Sequence, residues 1–486
     1  MAKNLTRGLC TPLLCMGMLL LAGCGQGGPS APGGGVASAC TACTVGGSVT
    51  GLSANESVTL VNNGGDSLTA DNDGRFTFSA TETDGSGYDV TVQSHTPGIA
   101  CTVGSGKGTV GSRNVLSIQV VCAAGTESVL YAFAGGPADG ADPQGALALD
   151  SADDLYGTTY GGGADGVGTV FEISASGVES VLHSFAGGAS DGAYPQAGVI
   201  LDGAGDLYGT TSHGGASGEG TVFEISASGA ESIRYSFAGG AADGARPQGS
   251  LIRDSAGNLY GTTSAGGTYG LGTVYTLGPT GSEAVLYSFA GGTTDGQAPL
   301  GHLVMGSSGS LYGTTSSGGT YDLGTVFKVS PDGLESVLYS FVGGTEDGAY
   351  PRAGLIMDSA GDLLGTTSAG GADDLGTVFE ISASGTERVL YSFTGGMADG
   401  SDPNSGLLMD GAGNLFGTTA AGGARDLGTV FKISPGGTET VLYSFVGGST
   451  DGSSPQAGLL MDGAGNLYGT TAAGGVNDDG TVFEIN

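Results

Sequence analysis

From residue 127 to the end, apolar residues come in short bursts, each followed by a stretch of Gly, Ser, Thr and Asp. One unit reads Gly249-Ser250-Leu251-Ile252-Arg253-Asp254, then Asn258-Leu259-Tyr260-Gly261-Thr262-Thr263, then Gly272-Thr273-Val274-Tyr275-Thr276-Leu277-Gly278, then Glu283-Ala284-Val285-Leu286-Tyr287-Ser288-Phe289. Runs of this length, rich in Val, Thr and aromatics and bounded by turn formers, predict strands. The whole unit returns at a constant step of 52 residues. Leu-Tyr-Gly-Thr-Thr, with variants LLGTT and LFGTT, begins at 155, 207, 259, 311, 363, 415 and 467. Gly-Thr-Val-Phe begins at Gly168, Gly220, Gly272, Gly324, Gly376, Gly428 and Gly480, with Tyr275 the one substitution for Phe. Seven copies without an insertion predict a closed repeat architecture.

Four short strands per repeat are the content of one blade of a β-propeller. The turns after the first and third strands are short (Ser255-Ala256-Gly257 and Gly278-Pro279-Thr280-Gly281), and the loops after the second and fourth are longer (264–271 and 290–300). In an up-and-down meander these connections alternate between the two ends of the sheet, so all the long loops are expected on one face. Of the 18 Tyr and 16 Phe, 26 fall at four positions of the repeat, where they are expected to form the core between blades. The last copy ends at Asn486 without a fourth strand, while a spare copy, Ser128-Val-Leu-Tyr-Ala-Phe133, precedes the first. The expectation is a seven-bladed propeller over 124–486, with strand 127–133 completing the last blade and leaving no open edge.

Residues 45–123 alternate apolar and polar positions in runs such as Gly74-Arg-Phe-Thr-Phe-Ser-Ala80, separated by turn clusters such as Asn62-Asn-Gly-Gly65. They predict a small β-sandwich. The fold class is therefore all-β. Composition agrees, with 101 Gly, 39% hydrophobic and only 12% charged residues. The formal charge of −34, from 13 basic and 47 acidic side chains, repels phosphate backbones and excludes nucleic acid as a partner.

Residues 1–23 carry Lys3 and Arg7, an apolar stretch around Leu13 to Leu21, and the box Leu21-Ala22-Gly23-Cys24. That run is too short to span a bilayer and resembles a bacterial lipoprotein signal peptide. The resemblance implies cleavage before Cys24, lipidation of Cys24, and, with Gly25 rather than Asp next, outer-membrane sorting. Residues 24–44 then form the lipidated Cys and a flexible Gly/Ser/Pro tether. With Cys10 and Cys15 in the leader, four Cys remain, and in an oxidising compartment they predict two disulfides. Cys101 with Cys122 is the favoured pair, since both lie in strand-like segments of one small domain. Cys40 and Cys43, spaced as a redox or zinc half-site, sit in a linker with no second pair, and their partners stay open.

The repeated LYGTT and GTVF units resemble the bacterial tandem-repeat family named for Gloeobacter and Verrucomicrobia, often joined to varied surface anchors. Pro351-Arg-Ala-Gly-Leu-Ile-Met-Asp358 and Gly413-Asn-Leu-Phe416 are similar to motifs of NHL-type propellers. The small domain is similar to Ig-like or carboxypeptidase-regulatory-like modules of surface proteins. These resemblances imply fold and address, not a reaction.

Candidate chemistry lies where copies differ. On the first strand of neighbouring repeats, Ser250, Arg253, His302 and Gly306 break the pattern, and an Arg and a His near a channel could bind an anion or polarise a carbonyl. The Asp-Gly pairs at Asp139, Asp191, Asp243, Asp295, Asp347, Asp399 and Asp451 would form a ring that could attract calcium, or serve as ordinary Asp-Gly turns. His95, His183, His213 and His302 show no metal spacing along the chain, no G-x-S-x-G occurs, and the repeats hold no Cys. No catalytic residue or obligate cofactor is assigned. Five Tyr outside the core set and the small domain, Tyr160, Tyr194, Tyr269, Tyr321 and Tyr350, all fall in or beside long loops. Tyr on Gly/Ser/Thr-rich loops suits a binding surface. The expectation is a lipid-anchored cell-envelope protein that binds a glycan or a surface protein and touches the membrane only through its anchor. A channel enzyme of glycan lyase, hydrolase or lactonase type and a structural spacer are the alternatives.

Overall fold

The computed structural model describes residues 40–52 and 56–486. The leader, Cys24 and most of the tether lie outside the described residues. Among those described, the only helical turn is Gly396–Ala398, and no helix is long and apolar enough to cross a membrane.

The small domain has eight strands: β1 (Cys43–Thr50), β2 (Val58–Asn62), β3 (Asp66–Ala70), β4 (Gly74–Glu82), β5 (Gly87–His95), β6 (Ile99–Gly104), β7 (Lys107–Thr109) and β8 (Val115–Ala124). They form two sheets, ordered β4-β1-β8-β6 and β3-β2-β5-β7. Period-two alternation sends Phe76 and Phe78 inward, where they meet Val45, Leu60, Ile118 and Val120 in one core. Cys101 and Cys122 are directly opposite in the β6–β8 ladder and are disulfide-bonded. Cys43 bonds its near neighbour Cys40.

Seven four-stranded meanders follow. The first is Ala148–Leu149, Leu155–Thr159, Thr169–Ile173 and Glu179–Ser184, in that order. The seventh takes Leu460–Met461, Leu467–Thr471 and Thr481–Ile485 and adds β9 (Glu127–Ala132), with Val129 opposite Phe483. The ring thus closes by joining the two ends of the repeat region. On the long-loop face, a two-residue ladder in each blade, such as Gly140–Ala141 with Gly161–Gly162, ties the loop entering the blade to the loop after its second strand.

Blade-to-blade packing explains the repeated residues. The Phe of GTVF lies over the Gly of LYGTT: a Cβ on Gly157 would come within 2.5 Å of Phe171 Cζ, so any side chain there displaces the ring. Phe171 then meets Phe133, which follows the outer strand of the preceding blade, edge to face at 5.0 Å. The same pair recurs at all seven interfaces, with Tyr275 in one. Deleting one such buried ring costs about 3–5 kcal/mol. Next to it the first Thr of LYGTT donates its hydroxyl to a carbonyl of the next blade, from Thr158 to Ala197 at 2.8 Å through Thr470 to Gly145 at 3.3 Å. That last bond crosses the closure.

At the rim of six interfaces a Tyr hydroxyl donates to an Asp at 2.8–3.1 Å, with a Glu of the next blade beside both. These are the Asp of the Asp-Gly pairs, and they do not form the open ring considered for calcium. Asp139, Asp191, Asp243, Asp295, Asp347, Asp399 and Asp451 are all buried. Each takes backbone N–H groups, as Asp139 does from Ala134 and Gly140 at 2.6 Å, which makes them turn-closing acceptors. The neighbouring Glu pays for this arrangement. Burial first, and the Asp carboxylate second, push Glu127, Glu179, Glu283, Glu335, Glu387 and Glu439 up to about 7.

A carboxyl whose folded pKa lies above its unfolded value of 4.5 stabilises the fold fully below that value, and the stabilisation is lost as pH rises through about 7. The thermal midpoint is therefore expected to fall between pH 5 and pH 8, and Glu335→Gln with Glu387→Gln should flatten the fall. A midpoint that rises over this window, or an unchanged slope in the double variant, would refute the assignment.

Candidate functional site: the channel mouth on the long-loop face

Each blade is entered through a residue, a Pro, and four residues that turn down into the first strand. The Pro packs on the GTVF glycine of the preceding blade, as Pro195 does on Gly168. This fixes two rows of side chains around the channel mouth.

The inner row is the residue after the Pro: Gln144, Gln196, Gln248, Leu300, Arg352, Asn404 and Gln456. With the small residues that follow, it lines a cavity of about 250 Å³ on the axis. Gln196 Oε1 and Asn404 Oδ1 are buried and have no hydrogen-bond partner among the described residues. Arg352 is exposed and makes no ion pair among them. Ser250 and His302, where other blades place Gly or Ala, also line this cavity. The His302 ring fills the space left by glycine, since a Cβ on Gly354 would lie 2.2 Å from its Nδ1. Burial holds its imidazole below the ordinary value, against a smaller opposite pull from the Leu355 backbone, so the ring is neutral at pH 7. The channel can thus offer amides, one guanidinium and a neutral imidazole.

Arg253 is not part of this constellation. Three residues beyond Ser250 at about 3.3 Å per residue, it reaches the opposite end of the strand. There it pairs with Asp202 at 3.3 Å and lies 5.9 Å from the centre of the Tyr208 ring, clamping two blades on the short-turn side. Gly306 sits in the short hairpin of the next blade, the one that carries His302, and its N–H donates to the Ser310 carbonyl at 2.9 Å.

The outer row is the residue before the Pro: Asp142, Tyr194, Arg246, Ala298, Tyr350, Asp402 and Ser454. All seven hold a left-handed backbone, with φ between 54° and 58°. Each N–H donates to the preceding blade, as Tyr350 does to Leu323, and each carbonyl accepts from the end of its own blade's second strand, as from Ser368. This conformation costs a non-Gly residue about 1–2 kcal/mol. A chain with 101 Gly never uses one here, although it does use Gly166, Gly218 and Gly270 at another left-handed position of the same face.

Of the five expected tyrosines, Tyr194 and Tyr350 belong to the outer row, and the other three lie in the loops after the second strands. Tyr160 and Tyr194 stack at 5.0 Å, and His213 meets Tyr194 edge-on at 5.6 Å. Tyr269, Tyr321 and Tyr350 are 61%, 60% and 41% exposed. The two rows around the mouth were not singled out in the sequence, where only the variability of the positions flanking each Pro could have marked them.

The small domain lies against the other face. His95 N–H bonds the Ala464 carbonyl at 2.9 Å, Gly98 packs on Leu442, and a shallow cleft separates Glu56 and Asn72 from the turn residues Asn414 and Pro435. Ala464, Asn414 and Pro435 all belong to short turns, so the long-loop face stays clear.

The chain belongs to the Gloeobacter/Verrucomicrobia repeat family, whose model matches residues 79–307 and 299–486. No curated protein matches the sequence. Among solved structures it is similar to virginiamycin B lyase from Staphylococcus aureus, at 10% identity and TM-score 0.48, covering 74% of this chain and 98% of that one. It is also similar to a streptogramin B lyase, at 12% identity and TM-score 0.49, covering 74% and 97%. The extracellular domain of a hybrid two-component system from B. thetaiotaomicron gives 12% identity and TM-score 0.47 over 78% of this chain and 43% of that one. These likenesses are of the β-propeller fold.

If the outer row keeps its side chains at the cost of backbone strain, relieving that strain should not harm the fold. Ala298→Gly is expected to leave stability unchanged or raise it by up to about 1 kcal/mol in denaturant titration. A clear loss would show that the side chain is there for packing.

Proposed function

We propose that this member of the repeat family is a lipid-anchored envelope protein whose propeller binds a glycan on the long-loop face. The observation that carries the reading is the outer row: seven non-glycine residues held in one left-handed geometry, with the scaffold nearly constant and these side chains varied. Side chains kept where glycine would be cheaper need a use outside the fold. Exposed Tyr rings offer flat apolar area to sugar faces, and the amides and Arg352 of the inner row offer donors and acceptors to hydroxyl and carboxylate groups. Mounting them on a closed ring limits the ordering cost of binding. An anchor at Cys24 reaches the propeller through a sandwich packed on its short-turn side, which leaves this face available to partners. A second reading, chemistry on a ligand in the channel, draws on neutral His302 beside unpaired amide oxygens.

A glycan array and an envelope-extract pull-down with the full chain test the reading. Tyr194→Ala, Tyr350→Ala and Arg352→Ala together are expected to reduce capture at least tenfold while moving the thermal midpoint by only a few degrees. Undiminished capture would place the site elsewhere. Capture of proteins but no glycan would replace the ligand class, and turnover of a captured sugar lost in His302→Gly would favour the second reading. For the anchor, Cys24→Ser should move the protein from the detergent to the aqueous phase on Triton X-114 partition. Retention in the detergent phase would exclude lipidation at that residue.

A further inference from the structure

The interface between the first and second blades differs from the other six. At the position where they carry Tyr131, Tyr235, Tyr287, Tyr339, Tyr391 or Tyr443, it carries His183, while the Asp and the Glu of the rim set remain as Asp191 and Glu231. A single substitution thus converts a Tyr-Asp-Glu hydrogen-bonded set into three groups that all ligate metals. Their donor atoms lie within 4.8 Å of one another. Residue separations of 8 and 40 hide the set in the sequence; the outer strands of adjacent blades and the loop between them assemble it.

The distances favour more than a replaced hydrogen bond. His183 Nε2 stands 3.4 Å and 3.3 Å from Asp191 Oδ1 and Oδ2. A charge-assisted hydrogen bond settles at roughly 2.7–2.9 Å. Two ligands each about 2.0–2.2 Å from a tetrahedral zinc ion stand roughly 3.3–3.5 Å apart. Asp191 is held in place by N–H groups of Ala186 and Gly192 at 2.7 Å and 2.6 Å, which leaves lone pairs on both oxygens. The imidazole is fixed by its edge-on contact with Phe185 at 4.8 Å. Glu231 Oε1 is buried and has no hydrogen-bond partner among the described residues. Its counterparts elsewhere share that trait but lack a nitrogen ligand, so they serve as an internal control. The His183 and Asp191 side chains keep 21% and 12% of their surface, enough for an ion to enter from solvent.

We propose that His183, Asp191 and Glu231 form a binding site for one divalent transition cation of the zinc class, pinning the first and second blades together at the rim. One imidazole and two carboxylates suit zinc, and water completes the coordination. A site made of two outer-strand side chains and the Asp191 of the loop between the blades adds to the hydrophobic joint beneath it, so binding raises the stability of the closed ring by mass action.

Titration calorimetry of the full chain with Zn²⁺ tests this, with thermal denaturation in parallel. The expected result is one ion per chain and a midpoint raised by Zn²⁺. His183→Tyr restores the residue found in six interfaces, should fold normally, and should lose both the ion and the Zn²⁺-dependent shift. Tyr235→His should raise the stoichiometry to two, because Asp243 and Glu283 already flank that position. Absence of binding in the unaltered chain, or the same binding and shift in His183→Tyr, would overturn the proposal.

Discussion

The structure depends on how closely one blade can approach the next. Edge-to-face pairing of Phe133 with Phe171, repeated around the ring, sets that distance, and it holds only because Gly157 and its equivalents leave the space the ring occupies. Glycine within a strand ordinarily weakens it through entropy and lost packing. Here the loss is offset by burial of an aromatic ring from the neighbouring strand. The Thr hydroxyls beside the contact can then reach carbonyls of the next blade, and the last, Thr470 to Gly145, requires the ring to be closed. Register follows from the same contact: a one-residue slip of the GTVF strand against LYGTT would move the Phe off the Gly it faces.

Features set by local pattern were legible in the sequence. Strand-length runs, short and long connections in alternation, and a fixed step identify the propeller, and counting on from residue 127 points to the strand that the structure pairs with Thr481–Ile485. The aromatic core between blades was legible too, from the 26 rings at four repeat positions; the polar contacts between blades were not. The Asp-Gly pairs are the turns that the sequence offered as one reading, but their burial was not visible, because at six interfaces the Tyr of an outer strand joins two backbone N–H groups in drawing the carboxyl inward. Ser250 and Arg253 are near neighbours in the chain but face different ends of the channel, which a reading of repeat-breaking positions along one strand does not separate. The outer row at the mouth is silent for a simpler reason: a left-handed turn is recognised by Gly or Asn, and none of the seven positions carries either.

Variation is thus confined by the same constraint that fixes the repeat. Residues at blade interfaces cannot change without shifting a ring or a hydroxyl bond, whereas the side chain before each Pro projects from backbone held by two hydrogen bonds to neighbouring segments. Substitutions there alter the surface while leaving the ladder intact. This division resembles that of other binding scaffolds, in which rigid elements carry the fold and loops carry the contacts.

His183 shows that the division is not absolute. It lies at a packing position, and its neighbours are the same Asp and Glu that serve every other interface, so the rim tolerates a change of one residue without loss of the underlying Phe185–Phe223 contact at 5.1 Å. The tolerance has a physical source. The Tyr hydroxyl contributes one hydrogen bond to a carboxyl already held by two backbone donors, and imidazole of similar reach can stand in its place. A repeat protein with an acidic set at every rim therefore needs only one such replacement to bring a nitrogen ligand to two waiting carboxylates.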